Sequence, residues 1–383
     1  MLTIHRSLTS ILLVGSVAFT SCRQDPDSVV IPNPGTGSDS ILTETVAGGF
    51  DTIWELAWGP DNFIWVTERP GTISRVNPAT GAKTPIGQVA VSEIGEGGLL
   101  GMTFHPDFAT QPYIYLMHTY SSGGTRNRLV RMRYNGSTLG NVEPLLENIP
   151  GQSVHNGSRL AIGPDGFLYV STGDASNETL PQDRNSVAGK ILRLTLTGTP
   201  APGNPFGNAT YSFGHRNPQG LVFNRNNGML YITEHGSADN DEINRIEAGR
   251  NYGWPTVRGM CDGDAGPAEV SFCQANNVVE PLVTWTPTIA PAGADIYLSN
   301  RIPAWTGSLL FTTLAGRALY RLTLSADGRR VVAQERLFHG TFGRLRDVLV
   351  APDGVVYLAT SNRDGRGSPG PQDDRIIRVR PSQ

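Results

Sequence analysis

Three observations predict an all-β fold assembled from a repeat. Glycine and proline number 45 and 27 in 383 residues, above ordinary usage but below the level of a disordered chain. A Pro/Asp/Gly turn leading into an apolar strand with an aromatic residue returns six times along the body. A second strand with the pattern apolar, arginine, apolar follows each one. The hydrophobic share of 38% is enough for a sizeable core, and the turn-rich composition argues against a helical bundle.

In chain order, Met1–Cys22 reads as an export leader. His5 and Arg6 give a weakly basic start, and Ile11–Phe19 is an apolar run. That run is too short to span a bilayer as a mature helix. It ends in Phe-Thr-Ser-Cys, like a bacterial lipobox with Phe19 where leucine is usual. Two readings follow: lipid attachment at Cys22, or ordinary secretion with the leader removed. Residues 23–42 form a tether whose first part is rich in Pro, Gly, Asp and Ser. A single domain is expected over 43–383.

The turn-and-strand phrase is read at Gly59–Thr67, His105–Met117, Gly163–Ser171, Asn226–Thr233, Trp305–Thr312 and Ala351–Ala359. Its glycines supply positive φ where a tight turn needs it. The partner strands are Thr72–Val76, Arg128–Met132, Lys190–Leu194, Glu242–Ile246, Ala318–Leu322 and Arg375–Val379. Six pairs spaced by about 45–80 residues suit a six-bladed β-propeller with four strands per blade. A sandwich or two small β domains are the alternatives, and the unbroken recurrence favours one closed ring. The partner-strand arginines are assigned a structural role. Cys261 and Cys273 lie in a Gly/Asp-rich stretch and read as one disulfide in an oxidising compartment. Zinc is disfavoured because no second Cys or His pair accompanies them.

Basic and acidic residues number 31 and 34, for a net charge of −3. No basic excess is available to neutralise nucleic-acid phosphates. In a propeller the loops at one mouth of the channel converge, so charged loops are where a site belongs. Four segments stand out. They are Gly95–Gly101, Val154–Arg159 with Thr172–Asp174, Gly214–Gly220 with Glu234–Ser237 and Asp241–Glu242, and Gly343–Asp347. The Gly-x-Gly-Gly run opens no clear helix, so a dinucleotide phosphate loop is unsupported. Arginine forks suit planar carboxylates, oxygen-rich acidic loops suit calcium, and a histidine beside them suits proton removal. Together they ask for a ligand with several carboxylates.

The segments GHRNPQGL, DEIN-x-I with NYGWP, and Arg-x-Arg-Asp resemble the soluble sugar dehydrogenases that use pyrroloquinoline quinone (PQQ). The resemblance runs from about Thr43 to the C-terminus and implies a six-bladed propeller. It implies that His155 is the catalytic base and Asp174 its orienting carboxylate. Arg216 and Asn217 fall where the quinone is contacted, Arg216 near its reacting carbonyl. Gly236 and Ser237 fall where backbone carbonyls hold cofactor-bound calcium, and Arg344 and Arg346 where the cofactor's carboxylates are gripped. Glu242 and Tyr252 fall at positions of a further, structural calcium. Two departures stand out. Glu96 replaces a frequent glutamine in the cofactor site, and Ala315 stands where some members have a cofactor-binding lysine, with Arg317 close by. The expected reaction oxidises the anomeric carbon of an aldose to a lactone, with hydride transfer to PQQ and electrons passed to an external acceptor. The rivals are a metal-dependent propeller lactonase and a non-enzymatic binding propeller. The expected place is the periplasm or cell surface, with membrane contact only through the lipid.

Overall fold

The computed structural model describes residues 41–381. The leader, Cys22 and most of the tether lie outside the described residues. Strand β1 (Ile41–Ala47) opens two residues inside the segment read as tether, because Ile41 already pairs with Pro381.

The rest of the chain forms blades in sequence order. The first blade holds β2 (Ile53–Trp58), β3 (Ile64–Glu68), β4 (Thr72–Val76) and β5 (Lys83–Gln88). The second holds β6 (Leu99–Phe104), β7 (Tyr113–Ser121), β8 (Thr125–Arg133) and β9 (Glu143–Pro150). The third holds β10 (Gly157–Ile162), β11 (Leu168–Thr172), β12 (Lys190–Leu194) and β13 (Thr210–Phe213). The fourth holds β14 (Pro218–Phe223), β15 (Leu230–Glu234), β16 (Asp241–Ile246) and β17 (Val283–Trp285). The fifth holds β18 (Pro291–Tyr297), β19 (Ser308–Thr313), β20 (Ala318–Leu324) and β21 (Val331–Leu337). The sixth holds β22 (Leu345–Val350), β23 (Val356–Thr360) and β24 (Ile376–Pro381), and β1 completes it from the other end of the domain.

All neighbouring strands within a blade run antiparallel, and the second strands are the most buried. β3, β11, β15 and β23 are buried at every residue. That explains why the repeat phrase is so apolar: it writes the strand packed on both faces. The first strands β2, β6, β10, β14, β18 and β22 contact one another around a ring that closes between β22 and β2. They therefore line the central channel. The six-bladed propeller expected from the repeat is the observed fold.

The partner-strand arginines are structural, as expected. Arg75, Arg131, Arg193 and Arg321 pair with Asp61, Glu143, Asp165 and Glu335 at 2.6–2.9 Å. Arg245 pairs with Glu247 and Arg378 with Glu44. The Cys261–Cys273 disulfide is present. Its setting differs from a plain loop, because Cys273 is buried on helix α1 (Pro267–Asn276).

Each first strand carries a register shift at the same level, one extra residue against its partner. The shifts fall at Ile53/Glu55, Leu99/Met102, Gly157/Leu160, Pro218/Gly220, Pro291/Ala294 and Leu345/Asp347. A bulge bends a strand and re-aims its side chains. Trp54, Arg159, Gln219 and Arg346 lie within four of these bulges and meet in the channel. Arg159 and Arg346 sit over the Trp54 ring. Arg159 also pairs with Glu55 at 2.7 Å and Asp347 at 3.1 Å, both buried. Burial pushes the Glu55 carboxyl up to about 8 against the pull of Arg159. This polar layer divides the channel. Below it, a cavity of about 830 Å³ opens toward the far mouth past Trp58 and Phe104. Above it lie the loops that carry the expected chemistry.

Candidate active site

The loop into β10 places His155, and its backbone is unusual. His155 adopts φ 59°, a left-handed conformation that costs a non-glycine residue roughly 1–3 kcal/mol. The facing residue must be Gly173, because a Cβ there would lie 1.9 Å from the His155 carbonyl oxygen. This close approach puts the end of β11 beside the histidine. Asp174 follows, and its Oδ1 lies 2.8 Å from His155 Nδ1. Asp174 is 1% exposed and is fixed from two further sides. Ser176 N donates to its Oδ1 at 2.7 Å and Trp254 Nε1 to its Oδ2 at 2.9 Å. A carboxylate so held can only accept from Nδ1, which leaves His155 Nε2 as the free acceptor of the ring.

Arg216 and Asn217 are joined to this pair through the backbone. Asp174 N donates to Arg216 O at 2.8 Å, and Gly157 N to Asn217 Oδ1 at 3.1 Å. Arg216 lies over the Trp254 ring at 5.2 Å. Burial lowers its guanidinium from the usual range although Asp174 and Glu234 oppose the shift. Gln219 connects Asn217 to the next arginine. Its Nε2 donates to Asn217 Oδ1 at 3.1 Å, and its Oε1 accepts from Arg346 Nη1 at 2.8 Å. Burial brings Arg346 down to about 10. Arg344 is held by Asp364 at 2.8 Å. One continuous network thus unites His155, Asp174, Arg216, Asn217 and Arg346, with Arg344 two residues away on the wall.

Four donors in or under this network are enclosed without a partner: Arg216 Nε, Asn217 Nδ2, Arg346 Nε and Arg159 Nη2. Buried donors are rarely left unsatisfied unless a ligand, ion or water completes them. The first three belong to the positions expected to face a carboxylate-bearing quinone. Their chemistry fits such a group.

The calcium positions divide. Gly236 O, expected to face the ion, instead accepts from Arg216 Nη1. The nearby guanidinium supplies the positive charge that this carbonyl attracts. Ser237, Glu242 and Tyr252 line one small pocket with Arg216 and Gly236. The Tyr252 hydroxyl is engaged elsewhere, donating to Arg245 O and accepting from Glu247 N. Only the backbone of Tyr252 could serve as a ligand. Burial, reinforced by the charge of Glu234, pushes Glu242 well above the carboxylate range, and a cation would relieve it. Among the described residues no group of three or more His, Cys, Asp or Glu is arranged to hold a metal ion.

Glu96 reaches the site from the second blade. Its backbone N donates to Ser153 O at 2.6 Å, next to the histidine loop, and its carboxylate pairs with Arg366. Arg366 and Trp254 were beyond sequence reasoning as site residues. Arg366 lies 270 positions from its partner. Trp254 sits inside the NYGWP segment, but nothing there announces an indole hydrogen bond to Asp174. His215, central to the GHRNPQGL segment, is fully buried between Ser212 and Glu234 and stacks on Tyr252. It is a structural histidine.

The channel mouth thus unites a histidine held by a buried carboxylate with enclosed arginine and amide donors. The chain is a member of the glucose/sorbosone dehydrogenase family, whose model matches residues 50–377. It is an oxidoreductase. It is 31% identical to quinoprotein glucose dehydrogenase B of Acinetobacter calcoaceticus, over 92% of each chain. It is 29% identical to the aldose sugar dehydrogenase YliI of Escherichia coli, over 85% of this chain and 91% of that one. Among solved structures, the PQQ-bound aldose sugar dehydrogenase of Streptomyces coelicolor is 38% identical with a TM-score of 0.78, covering 89% of this chain and 98% of that one.

Proposed function

We propose that this protein oxidises the anomeric carbon of an aldose to a lactone, with PQQ as its bound cofactor and an external acceptor for the electrons. The observation that carries the reading is the set of enclosed, unpartnered donors on Arg216, Asn217 and Arg346 beside an oriented histidine. Arg344 and Arg346 would hold the cofactor's carboxylates, and Arg216 and Asn217 its quinone oxygens. When bound, PQQ supplies an electrophilic carbonyl that accepts a hydride, the redox chemistry no side chain can perform.

The protein's own residues do the rest. His155 Nε2 takes the proton of the anomeric hydroxyl. Asp174 holds the ring in the tautomer that leaves Nε2 free and stabilises the imidazolium that results. Arg216 contributes a fixed positive charge on the same wall, where negative charge is stabilised as it develops. Calcium at Glu242 with the Tyr252 carbonyl is supported by the charge of that pocket. Calcium at Gly236 and Ser237 has less support, since Arg216 already donates to Gly236. No catalytic step is assigned to either ion. A lipid anchor at Cys22, a tether that ends before Ile41, a propeller that begins with β1 and a periplasmic or surface location complete the proposal. They rest on the leader sequence and the repeat.

The test is reconstitution. Apoprotein given PQQ and calcium should reduce a redox dye when an aldose is added. A lactonase would hydrolyse a sugar lactone without PQQ, and a binding module would do neither. Either of those results would reject the dehydrogenase reading.

A further inference from the structure

A cavity of about 570 Å³ opens beside Arg344, and its lining is unusually cationic. Arg317, Arg344, Arg366 and Arg375 all face it, and Ala315 forms part of the wall. Two of the four charges already have nearby carboxylate partners, Arg344 in Asp364 and Arg375 in Asp373. Arg366 is different. Its partner is Glu96, on the loop that packs against Ser153 beside the base. The pair therefore spans the mouth of the site, from the histidine wall to the carboxylate-gripping wall. Glu96 lies within the field of the site. Burial opposes its ionisation, but the Arg366 hydrogen bond and the charges of Arg366 and Arg346 hold its carboxyl below the usual range. Arg366 is 58% exposed along its side chain and stands on the loop 361–370, with room to turn.

We propose that Arg366 is a further carboxylate-binding residue of the cofactor site, held by Glu96 until a carboxylate of the cofactor takes its place. The inference rests on the functional reading above. Ala315 offers no cation to this cavity, and Arg366 lines the same cavity with Arg317 and Arg344. Glu96 is then a competitor for Arg366 rather than a ligand of the cofactor. Exchanging one carboxylate for another keeps the guanidinium paired throughout, while the released Glu96 carboxylate, 23% exposed, keeps solvent and the more distant charge of Arg346.

The experiment is a double-mutant cycle on PQQ affinity, read by absorbance titration of apoprotein rather than by turnover. E96Q removes the competitor and should tighten binding several-fold. R366Q should weaken it by roughly tenfold or more, the scale of a lost charge-assisted hydrogen bond. R366K, which keeps charge but loses the fork, should fall between. The decisive arm is R366Q in the E96Q background. There the loss should persist at full size or grow. If Arg366 merely neutralises Glu96, that loss will vanish, and the inference is overturned. Thermal melting of each variant checks that this exposed position leaves the fold intact. A wild-type chain that binds no PQQ would overturn the functional reading and this inference together. Binding by wild type with no loss in R366Q would overturn this inference alone.

Discussion

His155 and Gly173 pack as one unit although they come from different strand ends, and the proposed base depends on that packing. The histidine accepts a left-handed backbone so that its ring can meet Asp174, and the glycine leaves room for its carbonyl. G173A should therefore force the loops apart and displace the base. Misplacement by about 1 Å can cost roughly 10²-fold in rate. Turnover should fall on that scale while PQQ affinity, which the proposal sets on the other wall, stays close to wild type. A titration and a dye assay on the same preparation check both halves. Arg344→Ala should do the reverse, weakening PQQ binding first, because in the proposed role it would face groups that do not react. That His155, Asp174, Arg216 and Arg344 gather at one place was open to a reader of the sequence, because each sits in a recognisable segment. Trp254 and Arg366 were not, since each acts on a residue remote in the chain.

Elements show the same division between local and non-local information. The repeat phrase gave the second strands and the arginine pattern gave the third, because both are written in consecutive residues. The bulge in every first strand was invisible: a one-residue slip between paired strands depends on the partner's register. Yet those bulges aim Arg159, Gln219 and Arg346 into the channel. The fourth blade carries the one long excursion, pinned by Cys261–Cys273 and by Glu269, which accepts from the backbones of Arg258, Gly263 and Ala265. The disulfide closes a short loop, so its removal should cost at most about 3 kcal/mol. C261S/C273S should melt at a lower temperature than wild type and lose no PQQ affinity. A variant that melts with wild type would show that Glu269 alone holds the excursion.

At the scale of the whole molecule, the described residues form a ring closed by one strand from the far end of the domain. β1 supplies the outer strand of the last blade, so the propeller cannot close before the chain is nearly complete. Deleting 41–47 should expose β24 and lower stability markedly, whereas deleting residues before 41 should not; thermal melts of the two truncations decide. Asp295 reports on the channel wall. Burial pushes its carboxyl up to about 6, although the backbone N–H groups of Val350 and Ile296 donate to it. The folded state thus holds this proton more tightly than the unfolded chain, whose aspartate titrates near 4. Its contribution to stability is full below about pH 4 and is lost as pH rises through about 6. D295N should remove that slope and leave the curve above pH 7 parallel to wild type, as denaturant titrations across pH 4–8 would register. The closed ring was legible from repeat counting alone, but the channel's polar layer was not, because it joins residues from β2, β10, β14 and β22. The activity itself is tested most directly by a single-turnover measurement on PQQ-loaded protein mixed with aldose, wild type against His155→Ala. Quinone absorbance should bleach in the wild type and bleach roughly 10²–10⁴-fold more slowly in the variant at equal PQQ occupancy. Equal rates per bound quinone would contradict His155 as the base.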